Sequence, residues 1–203
     1  MLGSFIQGFE VRYGQFAGTS FSFLSPLTLL TGIGLMFGYA LLGAGWLILK
    51  TDGEIQATAR RYGRICLVAV LLAIAVVSLW TPIMSQAIAT RWFTWPNALF
   101  LAPVPLATVL LGWFTWRALG SAAEATPFIG AMALFVLSYL GIAISLFPMI
   151  VPYHFTLWEA ASSPRTQAFL LVGTLFLLPV ILTYSAWSYW VFRRKVRTDS
   201  GYQ

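Results

Sequence analysis

Side chains that commonly do chemistry are scarce in this chain, and they lie outside its long apolar stretches or at their ends. His154 is the only histidine and follows Pro152. As a haem ligand it would need an open face or a second axial ligand, for which Met149 is nearby. We instead expect His154 to be solvated or interfacial. Cys66 is the only cysteine, which excludes an internal disulfide and a multi-thiolate metal site.

Acidic side chains also lie outside the apolar stretches. Glu159 belongs to the segment HFTLWEAA, beside Trp158. Two interpretations stay open: a short interfacial helix whose acid faces water, or a subunit contact or polar site at the outer face. A second charged cluster is predicted to form a solvated patch of ion pairs and contains Asp52, Glu54, Arg60, Arg61 and Arg64.

The elements that must position these residues are membrane spans, as the composition indicates. Hydrophobic residues make up 59% of the 203 residues and charged residues 9%, whereas a soluble domain has roughly 25% charged residues. So few charges could not cover a soluble protein of this size. The 16% of aromatic residues excludes a disordered chain. We therefore expect an integral membrane protein.

Five intervals without Asp, Glu, Lys or Arg are each longer than the about 20 residues that a helix needs to cross a bilayer. They are continuously apolar, whereas the strands of a barrel alternate. The sequence thus predicts an all-α fold, a polytopic transmembrane helical bundle of about five spans within residues 25–203. The predicted spans are 27–49, 65–84, 97–116, 128–151 and 168–192.

Basic residues are distributed unevenly between the two sides of the membrane. The loop between spans one and two, the loop between spans three and four and the carboxy-terminal tail 193–203 hold nine of the 12 Lys and Arg residues. Such an excess marks the cytoplasmic side. We therefore expect a cytoplasmic basic tail and an outer-face segment at residues 1–24. The net charge of +6 then reflects topology, and no nucleic-acid partner is expected.

The predicted spans contain no Asp, Glu, Lys, Arg or His away from their ends. Such residues usually mark proton relays or ion pathways, so neither is expected here. Gly34 and Gly38 form a G-x-x-x-G step, which lets helices approach closely. Their partner is predicted to be either another subunit or a helix of this bundle. Three prolines are expected to kink their helices, namely Pro103, Pro105 and Pro179.

Several stretches resemble one family, subunit II of the cytochrome bd-type quinol oxidases. They are FIQGFEVRYGQFAGTSFSFLSP, the run from Ser25 to Arg64, and the run from Phe147 to Val196 with its LWEAA turn and YSAWSYWVFR close. The resemblance extends from about Phe5 onward. The short loops and PNALFLAPVP look more like the cyanide-insensitive branch.

This resemblance implies a function that composition does not. Complexes of this family pass electrons from quinol to dioxygen in aerobic respiration. Subunit I carries haem b, haem d and the quinol site, whereas subunit II carries no haem ligand and stabilises the haem-bearing subunit. A small accessory subunit often joins. The expected location is the bacterial inner membrane, with the chain in contact with lipid, and no catalytic, cofactor-binding or metal-binding residue is assigned to this chain.

The chain also departs from the family, whose subunit II has about eight spans. The five spans correspond to its carboxy-terminal part, and the carboxylates implicated in proton entry belong to the part that has no match. A fragment, a mis-started reading frame and a split subunit stay open. Trp158 and Glu159, then Gly34 and Gly38, are the candidate interface contacts. Trp187, Tyr189 and Trp190 either line a lipid or quinone tail or anchor the helix end.

Two other functions remain as alternatives. One is a small transporter or channel, which the kinked third and fifth spans permit but the lack of polar span residues disfavours. The other is a scaffold without a haem partner. The haem content of the purified assembly separates the oxidase from both alternatives.

Overall fold

The computed structural model describes residues 2–8, 11, 12, 15–18, 21, 24–152 and 154–192. Five helices are long and apolar enough to cross a membrane. This confirms the predicted all-α, five-span bundle. The predicted basic tail 193–203 and nine residues of the predicted outer-face segment 1–24 lie outside the described residues. The helices are α1 (Leu2–Gln7), α2 (Pro26–Lys50), α3 (Gly53–Met84), α4 (Gln86–Phe93), α5 (Asn97–Leu101), α6 (Pro103–Leu119), α7 (Thr126–Leu146) and α8 (Pro164–Val191).

Two short antiparallel hairpins accompany the helices. β1 (Val11–Arg12) pairs with β2 (Gln15–Phe16), and β3 (Met149–Val151) pairs with β4 (Phe155–Thr156). The second hairpin takes residues that the predicted fourth span assigned to a helix, because α7 ends at Leu146. Pro148 lies two residues after this end and has no N–H with which to continue the helix.

Helices α2 and α8 begin at Ser-Pro pairs. The hydroxyl of Ser25 accepts a hydrogen bond from the Thr28 N–H at 3.1 Å, and Pro26 occupies the first turn of α2. Ser163 and Pro164 repeat the arrangement at the start of α8. A serine cap satisfies a free N–H, and proline fits where no N–H is needed. Both spans therefore begin a little before the residues predicted from charge alone.

Helices α2 and α3 are joined by Thr51 and Asp52 alone, so most of the predicted loop Lys50–Arg64 is the first part of α3. Gln56 closes this turn from the α3 side. Its amide donates to the carbonyls of Ile48 and Thr51, both at 3.0 Å. These bonds satisfy carbonyls that the end of a helix otherwise leaves without a partner.

The third span consists of α5 and α6, which meet at Ala102. Pro103 starts α6 and cannot donate a backbone hydrogen bond, which is why the helix is interrupted there. The predicted effect of Pro103 is therefore realised as a break between two helices rather than a kink within one.

The buried core lies where α2, α3, α6 and α7 meet. Its most buried members include Leu41 and Ile48 from α2, Leu67 from α3, Leu119 from α6 and Leu134 from α7. Large aliphatic side chains on facing helices fill the space between them at close contact. These four helices therefore form the body that positions both ends of the bundle.

Helix α8 stands apart from this core. None of its residues is buried. Two contacts join its last turns to α2: the Tyr189 ring lies edge-on to Trp46 with centroids 5.9 Å apart, and Lys50 Nζ donates to the Phe192 carbonyl at 2.9 Å. Helix α8 thus presents almost its whole circumference to its surroundings.

Candidate functional site

Glu159 and Thr156 form a closed turn immediately after β4. The Glu159 carboxylate accepts hydrogen bonds from the Thr156 N–H at 2.8 Å and from the Thr156 hydroxyl at 2.9 Å. In return, the Glu159 N–H donates to the Thr156 hydroxyl oxygen at 3.3 Å. This is the reciprocal pattern of a capping box, which a Thr-x-x-Glu sequence favours. Glu159 therefore stabilises its own loop as one hydrogen-bonded turn, and the short helix of the first interpretation does not form.

The same hydrogen bonds set the ionisation of Glu159. The Thr156 backbone N–H, and then the Thr156 hydroxyl, lower the pKa of the Glu159 carboxyl below its ordinary value. Both donors stabilise the charged form. The side chain is fully exposed, so the carboxylate remains accessible to water or to a partner.

Trp158 extends outward from this turn. Its side chain is 69% exposed, and its ring lies edge-on to Phe147 with centroids 6.1 Å apart. His154 is exposed in the same hairpin region, and its N–H donates to the Val151 carbonyl at 3.1 Å. The structure therefore brings Trp158 and Glu159 together on an exposed turn beside the end of α7.

Gly34 and Gly38 contact different helices of this chain. A Cβ atom at Gly34 would lie 2.7 Å from the Cβ atom of Ala73 in α3. One at Gly38 would lie 2.7 Å from the Phe135 ring in α7. The G-x-x-x-G step of α2 thus fits against two neighbouring helices, which is the internal-packing alternative, and its immediate surface is already occupied.

Arg91 closes the end of α7 from helix α4. One guanidinium nitrogen, Nη1, donates to the carbonyls of Ile144 at 3.0 Å and Ser145 at 3.2 Å, and also to the Phe147 carbonyl. The neighbouring Trp92 donates its indole N–H to the Ser145 hydroxyl at 2.9 Å. A cation at the carboxyl end of a helix also meets the negative end of the helix dipole. Arg91 therefore fixes α4 to α7.

Arg60 performs the equivalent task at the opposite end of the bundle, where α2 ends and α3 begins. We call this end the basic end, because it holds Lys50, Arg60, Arg61, Arg64 and Arg117. The Arg60 guanidinium donates to the carbonyls of Ala118 at 3.2 Å, Ser121 at 2.6 Å and Ala123 at 2.9 Å. These carbonyls belong to the last turn of α6 and the following loop. Arg60, in the cluster predicted to form ion pairs, thus binds neutral backbone oxygens.

Three cations at the basic end lie over tryptophan rings. The distances from cation to ring centroid are 5.0 Å for Lys50 over Trp46, 5.8 Å for Arg64 over Trp116 and 5.1 Å for Arg117 over Trp113. Indole faces attract cations, and tryptophan favours the headgroup level of a membrane. The basic end therefore presents charge and aromatic surface together.

Hydroxyl groups within several spans are satisfied inside their own helices. Thr81, Thr108, Thr115, Ser138 and Ser145 each donate to the carbonyl one turn earlier, at 2.7–3.0 Å. Among the described residues, no group of three or more His, Cys, Asp and Glu residues could hold a metal ion. The described spans thus contain no cluster that resembles a metal centre.

Comparison with known proteins identifies the family. The family model for cytochrome bd terminal oxidase subunit II matches residues 1–192. The chain belongs to this family. One similar relative is the cytochrome bd-I ubiquinol oxidase subunit 2 of Escherichia coli (strain K12), which is 23% identical over 232 residues, or 97% of this chain and 61% of the relative. Another is the probable cytochrome oxidase subunit 2 of Haemophilus influenzae, 23% identical over 222 residues, or 92% of this chain and 58% of the relative.

Two facts about this subunit II chain follow. It is a multi-pass membrane protein of a family whose relatives are subunits of an oxidoreductase complex. It also spans about three fifths of the length of the curated relatives it matches. The subunit II resemblance expected from the sequence is confirmed.

Sequence reasoning missed the structural roles of Arg60 and Arg91. Arg60 and Arg64 are four residues apart, and this spacing places both on one helix face, which was a usable signal. For Arg91 the only signal was a cation beside Trp92 in a short connection. Its acceptors lie more than 50 residues away in the chain, and no local pattern indicates them.

Proposed function

We propose that this chain is a non-haem membrane subunit of a cytochrome bd-type terminal oxidase and stabilises the haem-bearing subunit I. The observation that carries this proposal is the family match over residues 1–192. In the proposed complex, electrons pass from quinol to dioxygen through haem b and haem d of the partner. The chain itself supplies helix surface and contributes no catalytic residue.

The open surface of α8 supports a role in assembly. No residue of α8 is buried, although the helix is long enough to cross a membrane. Together with the exposed turn of Trp158 and Glu159, it offers surface on which a partner could pack. We propose subunit I as that partner, and a small accessory subunit and lipid as further neighbours.

The proposed location is the bacterial inner membrane, with the basic end in the cytoplasm. Lys50, Arg64 and Arg117 lie at this end, and an excess of basic residues is typical of cytoplasmic loops. The carboxy terminus after α8 would then be cytoplasmic as well. The resemblance of PNALFLAPVP to the cyanide-insensitive branch stays a prediction.

The test is a purification from native membranes in mild detergent, with a tag at Gln203 and a reduced-minus-oxidised absorbance spectrum. We expect haem bands and a larger membrane protein that co-purifies. A colourless preparation without a partner would contradict the proposal and would favour a transporter, a channel or a scaffold. As a control, the same tag on an unrelated membrane protein from the same cells should yield no haem.

A further inference from the structure

Two arginine side chains at the basic end each lie over an indole ring of α6: Arg64 over Trp116 and Arg117 over Trp113. Arg64 belongs to α3 and Arg117 to the last turn of α6. Arg64 Nη2 donates to the Leu119 carbonyl at 3.4 Å. A Cβ atom at Gly120 would lie 2.8 Å from Arg64 Nη2 and 3.5 Å from the Arg117 carbonyl oxygen. The Arg64 guanidinium therefore lies against the segment that bears Arg117.

Within the described residues, no carboxylate forms an ion pair with Arg64 or Arg117, and both side chains are exposed. Arg60 differs, because three carbonyls surround its guanidinium. The indole rings stabilise the two cations, and apart from the long bond of Arg64 Nη2 to the Leu119 carbonyl, no acceptor among the described residues takes their N–H groups. Such N–H groups suit the oxygens of a phosphate.

Each arginine lies at one end of a row of exposed apolar side chains on its own helix, which we call an apolar stripe. On α3, Val68 and Leu72 follow Arg64 at successive steps of four residues, with exposures of 43% and 60%. On α6, Trp113 and Val109 precede Arg117 at the same step, with exposures of 50% and 69%. Residues four apart share one helix face. Two apolar stripes therefore run from the charged pair toward the middle of the membrane.

We propose that Arg64 and Arg117 bind the phosphate of an anionic phospholipid, whose two acyl chains lie along these stripes. A diacyl phospholipid has one charged head group, which would bind the two arginines, and two acyl chains, which would lie on the two stripes. The site uses only this chain's own residues, so the proposal does not depend on the identity of the partner subunit.

The test uses the full chain, purified with the subunits that accompany it, and measures phosphatidylglycerol binding by native mass spectrometry. In the proposed site each guanidinium donates charge-assisted hydrogen bonds to the phosphate, and hydrogen bonds to charged groups contribute about 1.5–3 kcal/mol, or roughly ten-fold or more in affinity. We expect R64Q and R117Q each to weaken binding at least about ten-fold. R61Q is the matched control, because Arg61 is exposed on the same helix and loses the same charge; it should lose only the general attraction of one surface charge, at most roughly five-fold.

Equal losses in R61Q and R64Q would overturn the proposal, because general attraction to charge would then suffice. Equal binding of phosphatidylcholine would also overturn it, and so would displacement of the lipid by millimolar inorganic phosphate, which lacks acyl chains. If R64Q fails to fold, the variant V109S/L72S keeps both guanidinium groups and tests the stripes. It should weaken phosphatidylglycerol binding and leave the thermal midpoint unchanged, and unaltered binding would overturn the proposal.

Discussion

Arg91 Nη1 lies 3.0 Å from the carbonyl oxygen of Ile144, a residue 53 positions later in the chain. This hydrogen bond joins α4 to α7. The same nitrogen also reaches the Ser145 carbonyl at 3.2 Å. The position of the carboxyl end of α7, which leads into the second hairpin, therefore depends on one side chain of α4.

We expect R91Q to destabilise the connection between α4 and the end of α7. Hydrogen bonds from a charged group contribute about 1.5–3 kcal/mol, and the loss should appear as a lower midpoint of thermal unfolding in detergent. R165Q is the control, because Arg165 is an exposed cation near the start of α8. Equal midpoints for the two variants would contradict a capping role for Arg91.

At the basic end, R60Q should have a comparable effect. Three carbonyls would lose a charged donor, at a cost of about 1.5–3 kcal/mol. R61Q removes the same charge one residue away, from an exposed position. The measurement is the thermal midpoint together with protease cleavage of the loop between α6 and α7. Cleavage that is no faster in R60Q than in R61Q would refute this assignment.

Substitution of Gly130 tests the contact between α6 and α7. A Cβ atom there would collide with the Thr115 hydroxyl and lie 3.3 Å from its methyl group. Thr115 is only 1% exposed and cannot move aside easily, so G130A should cost about 1–3 kcal/mol. Adding T115A removes the colliding atoms and should recover part of the loss.

The control is G43A, because a Cβ atom at Gly43 would meet nothing within 4 Å. Alanine in a helix is favoured over glycine by roughly 0.5–1 kcal/mol, so G43A should be neutral or slightly stabilising. Destabilisation by G43A equal to that by G130A would mean that the contact with Thr115 is not the cause.

The pKa of Glu159 provides a pH-dependent test. Because the folded-state pKa is lowered, chiefly by the Thr156 backbone N–H, the carboxylate stabilises the turn above the unfolded pKa. This contribution is lost as the pH falls through the folded pKa. Carbon-13 NMR of labelled glutamate side chains should show one resonance that titrates below the ordinary range and disappears in E159Q. T156V removes the hydroxyl but keeps the N–H, so its Glu159 pKa should rise only in part.

The haem assignment can be tested at His154. H154A should leave the haem spectrum of the co-purified oxidase unchanged, because the proposal places every haem ligand in the partner subunit. His154 is exposed in the second hairpin, so its replacement should also leave the fold intact. Loss of one haem band in H154A would contradict the absence of a ligand in this chain.

The number and order of the spans could be predicted from charge-free intervals, because the bilayer requires long apolar helices. Helix ends could not, since the cost of a charge near the membrane surface is small. Arg60, Arg61 and Arg64 were therefore assigned to a loop, although they belong to α3. Local signals that were present, such as the Ser-Pro pairs and the Thr-x-x-Glu box, would have corrected several ends. Contacts between distant segments, such as Arg91 with α7, have no counterpart in local sequence.

The isolation of α8 also has a consequence for biosynthesis. The four helices that share the buried core all precede α8 in the chain, and the ribosome produces a chain from its amino terminus. Core closure can therefore be completed while α8 is still being made. Among the described residues, Trp46 and Lys50 then connect the last helix to this core. The core of α2, α3, α6 and α7 can therefore fold before the chain assembles with other subunits, and α8 remains exposed for contacts with them.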